Sequence, residues 1–153
     1  MINVRQKGQG AEREIANTLN SIIYQTMLEL GYPQDQAVKG ASAVQRNQQQ
    51  TAVGGNDLIH TFGLGIEVKR QEQLSIPAWW RQCCEQSHKN QEWPVLLYRQ
   101  NQKKWRCITY MAPQLPDNTL MGHIVVEFDF TSFQAWFKAW ITIKFRQGYQ
   151  IRV

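Results

Sequence analysis

The apolar patterning of these 153 residues predicts one α/β sandwich, and three observations carry that prediction. A three-and-four apolar spacing opens the chain. Short β-like runs then alternate with a second helical segment, and an aromatic stripe with helical spacing closes it. No internal repeat and no heptad array interrupts this order, so residues 1–153 read as a single domain.

From Ala11, the apolar residues Ile15, Leu19, Ile22, Ile23, Met27 and Leu30 recur at three and four, and Gly31 and Pro33 supply the stop. This is the first helix. Residues 34–56 are rich in Gln, Gly and Asn without a sustained period, so they read as a mobile loop with one short strand around Ala43 to Gln45. A loop of that length suggests function. Asp57 to His60 and Gly65 to Arg70 are two β-like runs joined through Thr61, Phe62, Gly63 and Leu64, which is a hairpin pattern. Ser75 and Pro77 start a second helix that reaches about Lys89, its apolar residues falling in pairs, Trp79/Trp80 and Cys83/Cys84. After Pro94, VLLYR and WRCITY flank the polar turn QNQKK as another strand pair, and His123 to Phe128 adds a further strand. Phe133, Trp136, Phe137, Trp140 and Ile141 then space as a helix behind the capping candidates Thr131 and Ser132. Its aromatic face is read as core first and subunit interface second.

Composition narrows the function classes. With 42% hydrophobic and 19% charged residues the chain has the makeup of an ordinary globular domain. Folding at this size hides roughly 70% of the extended chain's surface, so disulfide or metal staples are unnecessary. No apolar run approaches the ~18 residues of a membrane span, and MINVRQKGQG lacks a secretory hydrophobic segment. The expectation is a protein without a membrane partner. Cys83, Cys84 and Cys107 are odd in number and lack C-x-x-C spacing, which points to a reducing cytoplasm. His60, His88 and His123 form no zinc pattern.

Seventeen Lys and Arg against twelve Asp and Glu give a net charge of +5, a field that favours a polyanionic partner. The excess is local. Lys39 and Arg46 stand without an acid between Asp35 and Asp57, as do Lys138, Lys144, Arg146 and Arg152 after Asp129. Among the acids, Glu12 lies in line with Leu19, Ile23 and Leu30 on the first helix, whereas Glu14 projects to the other side and can stay in water. An inward carboxylate needs a cation, a donor or a metal. A helix-terminal Glu favoured by the macrodipole satisfies the same position, so Glu12 by itself leaves the two readings level.

Glu67 and Lys69 share one strand face while Val68 points to the other, and a turn near Phe62 sets Asp57 opposite Glu67. Two carboxylates that close repel unless a hard cation separates them, and such oxygen ligands suit Mg²⁺ or Mn²⁺. Cross-strand ion pairing of Lys69 with Asp57 or Glu67 is the competing reading, and the bare D-x₉-E-x-K spacing favours it.

The surrounding residues shift that balance, because KGQGAERE (Lys7 to Glu14), Arg46, GGNDLI (Gly54 to Ile59) and IEVK (Ile66 to Lys69) follow in one order. This set resembles the archaeal Holliday-junction resolvases and their phage-borne relatives, within the PD-(D/E)-x-K nuclease superfamily. The resemblance covers about residues 5–110, and residues 120–145, the last strand and the aromatic helix, lie beyond it. It implies a restriction-endonuclease-like core, a central mixed β-sheet flanked by helices. It also implies that Glu12, Asp57 and Glu67 form the acidic metal-binding cluster, with Lys69 as the catalytic lysine; the chemistry of phosphodiester hydrolysis adds the Val68 carbonyl as a candidate further ligand. Arg13 and Arg46 match basic positions that serve the scissile phosphate and the junction. Lys7 joins Arg13 in neutralising phosphate near the helix start, and Gln71 either contacts the substrate or remains a solvated edge residue. Two departures stand out: Asn56 replaces a common proline, and the loop over residues 45–56 is long and rich in glutamine.

The resemblance therefore implies a Mg²⁺-dependent endonuclease, with Mn²⁺ able to substitute, that nicks four-way DNA junctions as a homodimer and comes from a phage or prophage in a prokaryotic host; the cytoplasmic location is expected from the lack of an export signal and the unpaired cysteines. A related nuclease acting on flapped, nicked or duplex DNA shares the same residues. A basic DNA-binding module with structural acids is the third reading, and it predicts salt-dependent binding without cleavage.

Overall fold

A computed structural model describes residues 4–48 and 56–152, with side chains from residue 7 onward. Its elements are α1 (Val4–Glu29), α2 (Gln34–Gly40), β1 (Gln45–Arg46), β2 (Leu58–Ile59), β3 (Leu64–Arg70), α3 (Ile76–Lys89), β4 (Trp93–Arg99), β5 (Arg106–Met111), β6 (Ile124–Asp129) and α4 (Phe130–Arg146). The main sheet runs β3-β4-β5-β6. β3 and β4 are parallel because α3 carries the chain back between them, and the remaining pairs are antiparallel. The α/β fold is thus a four-stranded mixed sheet flanked by helices, consistent with the restriction-endonuclease-like expectation.

Period-two alternation divides the burial. Leu64, Ile66 and Val68 of β3, with Val95 and Leu97 of β4, join one core with Ile15, Leu19 and Ile23 of α1 and Phe133, Phe137 and Ile141 of α4. Leu96, Tyr98 and Ile108 face the other way, against Trp79 and Cys83 of α3. Both faces of β3 and β4 are covered, which is why these strands read as nearly continuous apolar runs. The aromatic stripe is core, as expected, with Trp136 and Trp140 half-buried at its margin. Trp140 also donates from Nε1 to the Phe62 carbonyl at 2.8 Å, tying α4 to the turn before β3.

Several boundaries differ from expectation. α1 begins at Val4, ahead of the predicted Ala11, and closes on Gly31 at φ 89° with Tyr32 N–H donating to Met27 O and Gly31 N–H to Leu28 O. Residues 34–40, expected as mobile loop, form α2, which buries only Ala37 and Gly40. Two apolar anchors in seven residues are too few to announce a helix by periodicity. The short strand is Gln45–Arg46, shifted from Ala43 to Gln45. The cap of α4 is Asp129, whose carboxylate accepts from Ser132 N–H at 2.7 Å, so Ser132 is the capped residue and not the cap. Gly54, Gly55 and the glutamines after Gln48 lie outside the described residues.

Candidate active site

β3 is an edge strand of the main sheet, and the segment around Asp57 lies along its open side. The Asp57 amide donates to Ile66 O at 3.0 Å, and the Val68 amide donates to Asp57 Oδ2 at 2.7 Å. These two bonds straddle Glu67, so Asp57 does face Glu67 as the turn placement predicts. In a strand the N–H and C=O of one residue share an edge, which directs the Val68 carbonyl toward the Asp57 side as well.

The expected hairpin holds only at its turn. Leu64 N–H donates to Thr61 O at 3.0 Å, and Phe62 and Gly63 both have positive φ, 59° and 87°, the requirement of a type I′ turn. His60 also sits at φ 60°, which turns the backbone out of the ladder. β2 therefore leaves β3 and pairs with β1, Arg46 opposite Leu58. That two-residue ladder brings Arg46 beside the acids, where its Nε donates to Glu12 Oε2 at 2.9 Å. Asn47 extends the clasp, donating from N to Asp57 O at 2.8 Å and from Nδ2 to Asn56 O at 3.0 Å.

Glu67 is fully buried, and among the described residues its oxygens meet no donor beyond the neighbouring Asp57 carboxyl. Burial first, and then the Asp57 carboxylate, push its carboxyl up to about 9, against a smaller opposing pull from Lys69. Glu12 is raised too, chiefly by burial, with the Arg46 hydrogen bond as the main opposing influence and Asp57 adding repulsion. A buried acid with no other donor is costly, and a bound divalent cation supplies the missing partner and removes the mutual repulsion. The Asp57–Glu67 pair thus fits a hard cation by its donor chemistry. Among the described residues no three acidic, His or Cys side chains close into a ligand cluster, and Glu12 is engaged by Arg46 instead.

Lys69 lies two residues beyond Glu67 on the same strand face and within electrostatic reach of both Glu12 and Glu67. Lys7 is 13% exposed and sits 3.9 Å from Glu72, just past the end of β3. Arg13 is exposed next to Glu12, and Gln71 is exposed with its amide bonded to Arg99 O at 3.2 Å. Glu14 does not simply rest in water: it accepts from Trp105 Nε1 at 3.0 Å and Arg99 at 3.5 Å, while the Arg99 guanidinium lies 5.6 Å from the Trp105 ring centroid. Burial pushes the Cys83 thiol far above its ordinary value, which removes it as a nucleophile.

Sequence reasoning did not find Asn56, Asn47 and Ser87 as members of this site. Asn56 stood out only as a departure from proline. Ser87 belongs to α3, 31 positions away, and only the packing of α3 on β3 joins the two.

A family model described as "Phage putative PDDEXK endonuclease" matches residues 3–147, running past residue 110 into the aromatic helix. No curated protein and no solved structure matches the chain significantly. Matched over nearly its whole length, with Glu67 and Lys69 on one edge strand and Asp57 bonded beside it, the chain belongs to the phage PDDEXK endonuclease family.

Proposed function

We propose that the protein is a divalent-metal-dependent, structure-selective DNA endonuclease, a Holliday-junction resolvase that introduces paired nicks in four-way junctions. The observation that carries the nuclease reading is the Asp57–Glu67 pair with Lys69 beside it, Glu67 buried with no donor beyond the Asp57 carboxyl among the described residues. The order of the N-terminal, N-D-L-I and I-E-V-K motifs supports the junction substrate.

Asp57, Glu67 and the Val68 carbonyl would hold the cation, with Glu12 contributing directly or through water. A divalent cation there, Mg²⁺ or its substitute Mn²⁺, supplies positive charge against the scissile phosphate and raises the acidity of water. Lys69 orients or activates the attacking water, its positive charge set beside the developing negative charge on the phosphate. Lys7, Arg13 and Arg46 neutralise flanking phosphates, and Gln71 reaches the substrate beyond the strand end. A junction presents two strands related by a two-fold axis, which a C₂ homodimer matches. Among the described residues no helix is long and apolar enough to cross a membrane, in keeping with action on DNA in the cytoplasm of a phage host.

The substrate is tested with a labelled four-way junction beside matched duplex, flap and single-strand controls. Paired symmetric nicks confined to the junction are expected. Equal cutting of the controls keeps the site chemistry and replaces the resolvase reading with a general nuclease.

A further inference from the structure

The Asp57 segment is held from behind by a polar contact that the proposed chemistry does not use. Asn56 is 3% exposed and donates from Nδ2 to Ser87 Oγ at 3.0 Å. Ser87, fully buried near the end of α3, donates in turn to Gly65 O on β3 at 3.4 Å. One hydroxyl therefore joins three elements: the approach to β2, strand β3 and helix α3. The space is closed, since a Cβ on Gly65 would collide with both the Ser87 hydroxyl and the Asn56 amide.

The cost of this arrangement is visible. Asn56 Oδ1 has no partner among the described residues, and a buried amide oxygen left without a donor works against folding. What the amide supplies in return is direction. Its bond to Ser87 ties Asn56 to α3, alongside a side-chain contact with Glu92 and the Asn47 bond to its carbonyl, and Asp57 is the next residue, its carboxylate 2.7 Å from the Val68 amide and its own amide 3.0 Å from Ile66 O. A rotation at Asn56 would carry the carboxylate off the β3 edge and away from Glu67.

We infer that Ser87 is a positioning residue, which through Asn56 sets the Asp57 carboxylate against Glu67 before any cation arrives. The inference rests on the metal site proposed above. It makes α3, which contributes no acid to the site, the element that preorganises it.

Mn²⁺ binding by the full chain without DNA, measured by calorimetry, tests this together with thermal melting in EDTA. Ser87→Ala should weaken Mn²⁺ binding by about tenfold, the low end of the range for residues that orient metal ligands, while the melting midpoint moves only a few degrees. Asn56→Ala, which also removes the contact with Glu92, should lose at least as much, and the double variant should lose no more than Asn56→Ala alone, because Ser87 acts through Asn56. If Ser87→Ala does not fold, Ser87→Cys keeps the volume with a weaker donor, and its Mn²⁺ affinity should fall in the same direction. Wild-type Mn²⁺ affinity in the Ser87 variants, or losses that multiply in the double variant, would overturn the inference and leave the metal site standing. A wild-type chain that binds no Mn²⁺ overturns both.

Discussion

Replacing Glu67 by glutamine should stabilise the metal-free protein while abolishing its cleavage. The buried carboxyl is raised from an ordinary 4.5 to about 9, by burial and then by Asp57. The folded chain thus keeps a proton that the unfolded chain releases, so this contribution to stability is fully present below pH 4.5 and is lost as pH rises toward about 9. Each pH unit in that window is worth about 1.4 kcal/mol, so at pH 7.5 the ceiling is about 4 kcal/mol. About half of that ceiling, ~2 kcal/mol, is the expected gain for Glu67→Gln, which is neutral at every pH. For a chain of this size that is an upward shift of about 4–8 °C. Thermal melts of both proteins in EDTA between pH 4.5 and 8 give the assay, with the difference growing as pH rises. Groups common to both proteins cancel in that difference. A Glu67→Gln variant no more stable than wild type at pH 7.5, or a difference independent of pH, refutes the reasoning. Added Mn²⁺ should then raise the midpoint of wild type and leave that of the variant unmoved.

Other expectations follow from single contacts. Lys69→Ala should lower kcat by about 10²–10⁴ with junction affinity nearly unchanged, read from single-turnover cleavage and binding curves. Arg46→Ala removes the principal influence holding the Glu12 carboxyl down, and should weaken junction binding and reduce its log–log salt slope by about one. Trp140→Phe deletes the bond from α4 to Phe62 O and should cost about 1 kcal/mol in a denaturant titration, with cleavage intact once folded.

The long elements were legible because each carries its own periodicity: α1, α3 and α4 sit close to where three-and-four spacing puts them. What was hidden depends on contacts between distant segments. α2 has too few apolar residues to be seen, and the β1–β2 ladder exists because His60 turns the chain out of the hairpin, a backbone state that sequence does not announce. The site shows the same division. Alternation placed Glu67 and Lys69 together, and the turn around Phe62 and Gly63 put Asp57 opposite Glu67 even though the regular ladder does not continue. The meeting of Arg46 with Glu12 spans 34 positions and that of Asn56 with Ser87 spans 31, so neither follows from local pattern. Glu14 was misjudged for a similar reason, since Arg99 and Trp105 reach it from β4 and from the approach to β5.

The central claim is that Asp57 and Glu67 bind the cation that drives phosphodiester cleavage. Wild type and Asp57→Asn on one labelled four-way junction, each in Mg²⁺ and in EDTA, test it most directly. Cleavage by wild type in Mg²⁺ alone, with Asp57→Asn binding the junction but leaving it intact, is the predicted result. Cleavage that survives EDTA or Asp57→Asn, or binding with no cleavage in Mg²⁺ or Mn²⁺, would contradict the account.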